Sequence, residues 1–277
     1  MRIGSLNITS VVDGEVAIPT ETYYAGHTND QWREFTASMC HSTGNPVQTV
    51  GSFLIEGLPD RLILVDTGVG NNPTFPFAGG ALRSGLAALG VHPDDITDVL
   101  FTHLHFDHIG WASLYGKPFF TNATYRCDQR DWEHFMATDY EIPAWEHVLA
   151  KPELDAPQPR LGPIADRIEC WTGDSQLFPG LETLDAAGHT PGTTVLRLTD
   201  GGEEGLILGD VVHGYMELVA DDWHLDAHEN DEQALAVVYH YRKLLSDTQV
   251  PFVGSHFPGM RWGRFEGNDT IVDLPIR

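Results

Sequence analysis

Cysteine is scarce. The chain has three, Cys40, Cys127 and Cys170, scattered, odd in number and without a CxxC pair. That excludes a disulfide scaffold and a zinc ribbon, and it fits a reducing compartment. Cations are scarce too: Lys and Arg total 16 against 40 Asp and Glu, a formal net charge of −24, and only Lys117, Lys151 and Lys243 are lysines. A phosphate backbone is held by clustered cations and anionic lipid by a polybasic surface, so neither nucleic acid nor membrane is an expected partner. Long apolar runs are missing as well. The first residues contain no stretch that could serve as a signal-peptide core, and no segment is long enough to span a bilayer, so the expected setting is cytoplasmic. What remains is a globular composition. Hydrophobic residues make up 42% and aromatics 10% of the 277 residues, ample for a buried core despite the charge.

Short apolar runs alternate with turns along the first half. Ile3 to Val12 reads as a strand, and Thr49–Ile55 and Leu62–Val65 as two more around the turn Gly57-Leu58-Pro59-Asp60. Leu82, Leu86 and Leu89 share one face of a helix over Ala81–Leu89 that Gly90 stops. Ile96–Phe101 and Phe119–Arg126 are expected strands, and Asp128–Ala137 an expected helix. From Pro143 to Pro163 the chain carries five prolines and little periodicity, the mark of a long surface excursion with one helical turn around Trp145–Leu149. Strands return at Arg167–Trp171, Glu182–Ala186, Thr193–Leu198 and Gly205–Leu208. The clearest helix follows at Asp231–Leu245, capped by Asn230 with Gln233 three positions on. Val250–Ser255 and a pair around Trp262–Leu274 close the list, and the interleaving favours an α/β architecture.

The informative stretch is Thr102-His103-Leu104-His105-Phe106-Asp107-His108-Ile109-Gly110, four potential metal ligands within six positions just after an expected buried strand. Imidazoles at i and i+2 of an extended segment point to the same side. Asp107 and His108, past the turn, can address a second site a few ångströms away. Nitrogen plus carboxylate oxygen suits zinc, with manganese, iron or cobalt as alternatives. Clustering among fourteen histidines explains this density poorly, and the mechanism points to a metal site.

This HxHxDH motif resembles the signature of the metallo-β-lactamase-fold hydrolases, and the resemblance extends over nearly the whole chain. Leu64-Val65-Asp66-Thr67-Gly68 looks like the family's early strand-to-loop acid, Ala187-Gly188-His189-Thr190-Pro191-Gly192 like the next ligand loop, Leu208-Gly209-Asp210 like the bridging carboxylate and Gly254-Ser255-His256-Phe257 like the final histidine. The resemblance implies a four-layer αβ/βα sandwich as a single domain over residues 1–277, with the ligand loops along one edge of two sheets. It implies one divalent metal on His103, His105 and His189, a second on Asp107, His108 and His256, Asp210 bridging, and Asp66 supporting a ligating imidazole from behind. Two cations so held keep room for a shared water, present as hydroxide at neutral pH.

Departures narrow the branch. The commonest β-lactamases place a Cys where this chain has Asp210, nuclease members carry basic surfaces, hydrolases of glutathione thiolesters need cations, and single-iron persulfide dioxygenases lack a second ligand set. Two groups stay close: the acyl-homoserine lactonases, which carry a Tyr three residues beyond the bridging Asp where this chain has His213, and the methyl-parathion-hydrolase-like group, whose ligand spacing and His256-Phe257-Pro258-Gly259-Met260 ending are similar. The expected activity is hydrolysis of a small, neutral, partly hydrophobic ester, a lactone or aryl ester, attacked by the metal-bridging hydroxide. Phosphotriester hydrolysis on the same site, and ligand binding without turnover, are the alternatives. Asp107, Asp210 and His213 are the candidate catalytic residues. His213 is a proton donor to the leaving oxygen or else a histidine packed at the strand end. The other histidines, His228 among them, read as surface or packing residues, and Tyr23, Tyr24, Trp111, Trp145, Phe257 and Trp262 as candidate pocket walls. The family's frequent dimers and the aromatic N-terminal segment are compatible with a homodimer.

Overall fold

The computed structural model describes residues 1–36, 44–72, 76–144, 146–149, 155–267 and 270–275. Its helices are α1 (Asn29–Thr36), α2 (Leu82–Ala88), α3 (Gln129–Phe135), α4 (Pro157–Leu161), α5 (Met216–Val219) and α6 (Asp231–Thr248). The first sheet is built from β1 (Arg2–Ile3), β2 (Leu6–Ala17), β3 (Val47–Glu56), β4 (Ile63–Val65), β5 (Phe77–Ala78) and β6 (Asp98–Leu100). A separate small hairpin, β7 (Ser113–Leu114) and β8 (Lys117–Pro118), precedes the sheet's last two strands, β9 (Thr124–Asp128) and β10 (Ile168–Trp171). Its order is β1-β2-β3-β4-β6-β9-β10 with β5 on β2, and β4, β6, β9 and β10 run parallel. The second sheet lines up β11 (Ser175–Phe178), β12 (Leu181–Asp185), β13 (Thr194–Asp200), β14 (Glu203–Ile207), β15 (Phe252–Val253), β16 (Gly263–Phe265) and β17 (Ile271–Asp273), antiparallel except for β14 and β15.

Strand alternation sorts the side chains into layers. Phe53 and Ile55 of β3 and Ile63 and Val65 of β4 join Leu196, Leu198, Ile207 and Phe252 in the core between the sheets. Leu54 and Leu64 point the other way, onto Leu82 and Leu86 of α2 and Phe135 of α3. Both faces of β3 are covered, so all but the last of its ten residues are buried and it reads as an apolar run rather than an alternation. On the far side of the second sheet, α6 contributes Val238, Tyr241 and Leu245 to the core. Helices, sheet, sheet and helix make the expected αβ/βα sandwich. No helix among the described residues is long and apolar enough to cross a membrane.

Several elements differ from the sequence reading. β2 continues to Ala17 through an irregularity between Val12 and Gly14. Asp13, just past the expected strand end, serves as an anchor: its carboxylate accepts hydrogen bonds from the backbone of Gly70, Gly80 and Leu82 and from Trp111 Nε1. β11 was not anticipated; Ser-Gln-Leu-Phe is short, sits at a sheet edge and lacks alternation. The proline-rich excursion holds more structure than its periodicity suggests. A 3-10 turn spans Glu146–Val148, and α4 opens on Pro157, whose missing N–H is harmless in a first turn. Residues 145 and 150–154, and Cys40, lie outside the described residues. Cys127 and Cys170 stand opposite each other on β9 and β10 with their sulfurs 4.0 Å apart, a pairing hidden by 43 residues of sequence.

Candidate metal centre

Strand ends of both sheets deliver the expected site residues. Asp66 follows β4, the HxHxDH loop follows β6, the His189 loop follows β12, Asp210 follows β14 and His256 follows β15. Two glycines make the approaches possible. At Gly188 φ is 150° and a Cβ would lie 2.5 Å from the Ala234 nitrogen of α6; at Gly209 φ is 57° and a Cβ would lie 2.9 Å from Thr102 Cβ.

The donors converge. His103 Nε2 and His189 Nε2 each lie 3.0 Å from His105 Nδ1. Asp107, His108 and His256 form a second group with ligand atoms within 4.8 Å of one another. Asp210 Oδ2 stands between the two groups, 3.7 Å from His103, 3.6 Å from His189, 3.3 Å from His108 and 2.9 Å from His256. His213 Nε2 is 3.2 Å from the same oxygen, and its ring stacks on His256 at 4.9 Å. The expected residues are therefore all in one place.

The rear nitrogens are anchored as well. His108 Nδ1 meets Asp66 Oδ2 at 2.9 Å, and Asp66 also accepts from Thr102 N and Thr102 Oγ1. His256 Nδ1 meets the Thr49 carbonyl at 3.0 Å, and His189 Nδ1 meets His228 Nδ1 at 3.0 Å. Fixing the second nitrogen fixes the tautomer and aims the first.

Electrostatics suit cations. Burial lowers His103 and His189 well below the usual imidazole range and takes His105 to about 3, with neighbouring imidazoles adding to each shift. Neutral rings are the form a metal binds. Burial opposes charge on His108 and His256 too, but Asp210 and Asp107 overturn it at both, with Asp66 helping at His108. Burial would raise Asp210, yet His256, His108 and His213 hold it well below the usual carboxylate range. His108 Nε2 and Asp210 Oδ1 are buried without a hydrogen-bond partner. Donors about 2.1 Å from a tetrahedral ion stand about 3.4 Å apart, close to the 3.0 Å separations found. The donor set fits two divalent ions.

The family model for the metallo-beta-lactamase superfamily matches residues 46–252. The chain belongs to that superfamily. A relative from Agrobacterium fabrum, N-acyl homoserine lactonase AiiB, is 27% identical over 184 residues, 57% of this chain and 61% of that protein. The chain's matches span less than two thirds of the first curated relatives' own lengths. Among solved structures, hydrolase AbOPH of the beta lactamase superfamily is 21% identical with a TM-score of 0.82, covering 100% of this chain and 96% of that one. AidC, a dizinc quorum-quenching lactonase in complex with a product, is 22% identical with a TM-score of 0.81 and the same coverage. Both share the metallo-β-lactamase fold with this superfamily member.

Some residues that matter to the site escaped the sequence reading. His228, read as packing, backs His189; burial, then His213, lowers it to about 3, so its ring is neutral and can accept the His189 proton. Glu217 accepts from the backbone of His213 and Gly214 and from Tyr24 Oη. Asp131 of α3 accepts from Leu104 N, Thr190 Oγ1 and Gly192 N, tying two histidine loops together. Of the aromatics, Tyr23 lines the pocket over the donors. Tyr24 is buried in a separate cluster, Trp111 and Trp262 line other cavities, Phe257 sits in the core, and Trp145 lies outside the described residues. Asp131→Ala removes the shared acceptor of three donors, all of them in the two histidine loops, and is expected to cost about 3 kcal/mol. A denaturant titration checks this; an unchanged midpoint would show that the three bonds are dispensable.

Proposed function

We propose that the chain is a dinuclear metal-dependent hydrolase of small neutral esters, a lactone or aryl ester, with zinc as its metal. The observation that carries this reading is the pocket over the two donor groups. Its floor is His105, Asp107, His189, Asp210, His213 and His256, its walls include Tyr23, Phe106, Leu149, Leu225 and Ala227, and no Lys or Arg is among the lining residues described. Apolar walls over a polar floor suit a neutral, partly hydrophobic ligand, and no basic side chain lines the walls to hold an anionic group away from the floor. The lactonase relative and the product-bound lactonase neighbour support the lactone choice.

His103, His105 and His189 would hold one ion and Asp107, His108 and His256 the other, with Asp210 between them and Asp66 behind His108. Ions held there would supply a nucleophile from water at neutral pH and polarise the ester carbonyl. Asp210 keeps one oxygen, Oδ1, free of hydrogen bonds to take a proton from the attacking water. His213 faces the same pocket, held at its backbone nitrogen by Glu217, and would protonate the departing alkoxide.

Metal-replete protein assayed on lactone, aryl-ester and phosphotriester panels, alongside elemental analysis, tests the reading. Turnover of neutral esters with two ions per chain is expected; fewer than one ion per chain would sink the dinuclear site. His213→Phe is expected to lower kcat by about 10²-fold with both ions retained. Full activity in that variant would remove His213 from the chemistry.

A further inference from the structure

Glu146 enters the same pocket from an unexpected side. It sits on the 3-10 turn of the proline-rich excursion rather than on a histidine loop, and lines the cavity with Asp107, Phe106 and Leu149. The turn is held by backbone bonds from Glu146 N to Pro143 O and from Leu149 N to Glu146 O. The residue is only 3% exposed, yet its Oε2 has no hydrogen-bond partner. Burial first, then Asp107, Glu229 and Asp155, push the carboxyl up to about 8. A buried polar atom without a partner destabilises the fold, and a leucine like its neighbour Leu149 would fill the wall at no such cost. The arrangement makes sense when a ligand supplies the missing partner. A carboxyl keeps an acceptor oxygen whether ionised or protonated, so a donor on the ligand is matched in either state, whereas an acceptor is matched only by the protonated form.

We propose that Glu146 selects substrates by accepting a hydrogen bond from a donor, an amide N–H or a hydroxyl, carried beside the scissile ester. This rests on the ester-hydrolase reading of the pocket floor and adds the feature that the floor alone does not distinguish. The donor groups of the floor act on any ester; Glu146 would discriminate among them.

The test pairs an N-acyl homoserine lactone with a γ-alkyl butyrolactone of equal chain length, which lacks the N–H, and adds an α-hydroxy-γ-butyrolactone for the hydroxyl case. Glu146→Leu is expected to lower kcat/KM about 10- to 100-fold on a donor-bearing lactone, through KM, and less than about 3-fold on the alkyl lactone. Glu146→Gln, which keeps an acceptor oxygen, is expected to retain most of the preference. Calorimetric titration of the ring-opened products, which are not turned over, should show the same contrast in Kd. Thermal unfolding should leave Glu146→Leu as stable as the parent or more so. Equal losses on all the lactones, or a fall in melting temperature with no change of preference, would overturn the inference while leaving the hydrolase reading in place. No turnover of any lactone and no binding of any product would remove both.

Discussion

Asp210→Asn is expected to lower ester turnover by about 10³-fold, an order beyond the 10- to 100-fold that partners behind the ligands typically carry. The reason is positional. One Asp210 oxygen lies within 3.7 Å of His103, His108, His189, His213 and His256 at once. An amide places either a neutral oxygen or an NH2 group at that focus. The first loses the charge that balances two cations, and the second turns a donor toward nitrogens that must themselves donate electrons. Rate measurements with elemental analysis on the same sample separate the two effects: a variant that keeps two ions but turns over slowly would have lost a proton acceptor, and one that loses an ion would have lost a residue that holds it. Activity within tenfold of the parent, with both ions present, would overturn the assignment of Asp210.

Removal of both ions is expected to lower the melting temperature by about 20 °C. An ion present at a thousand times its dissociation constant stabilises the native state by about 4 kcal/mol per site, and each kcal/mol is worth about 2–4 °C in a chain of this size. The donors come from loops of both sheets, so an ion that binds them all favours the state in which the sheets are docked. Calorimetry before and after dialysis against a chelator, then after restoration with two equivalents of zinc, reads the effect. A melting temperature that stays constant while the ions leave would mean that the donor cluster is preformed and that the ions add no stability.

The site was legible where its ligands crowd the sequence and less so where they do not. His103, His105, Asp107 and His108 are recognisable alone because four potential ligands in six positions have few other uses. His189, Asp210 and His256 are single residues whose meaning came from their order and from the strand ends that precede them. Nothing local marks Asp131, which reaches Thr190 across 59 positions, or His228, 39 positions from His189. Their roles arise only when the sheets meet. Glu146 was hidden for another reason: aperiodic, proline-rich sequence says little about which side chain turns inward. The aromatic residues were the least informative. Trp111, Phe257 and Trp262 serve other cavities and the core, because the residue types that wall a pocket also pack an interior. The layers themselves were read well wherever burial on one face left a period, as along α6, and less well in β2, which runs on to Ala17 past the expected end at Val12 through a register shift.

The straddling of the two sheets by the donor loops has a kinetic side. His103 and His256 are far apart along the chain, and the loops between them must be closed before their rings can share a focus, so loop-closure entropy is spent before any coordination is gained. Partial donor sets, such as the HxHxDH loop on its own, are available from the start; the complete set is a product of docking. Slow, metal-independent assembly of the scaffold followed by fast uptake of ions is the order of events this layout favours. An ion offered during refolding should therefore change the yield of the final state more than the rate of reaching it.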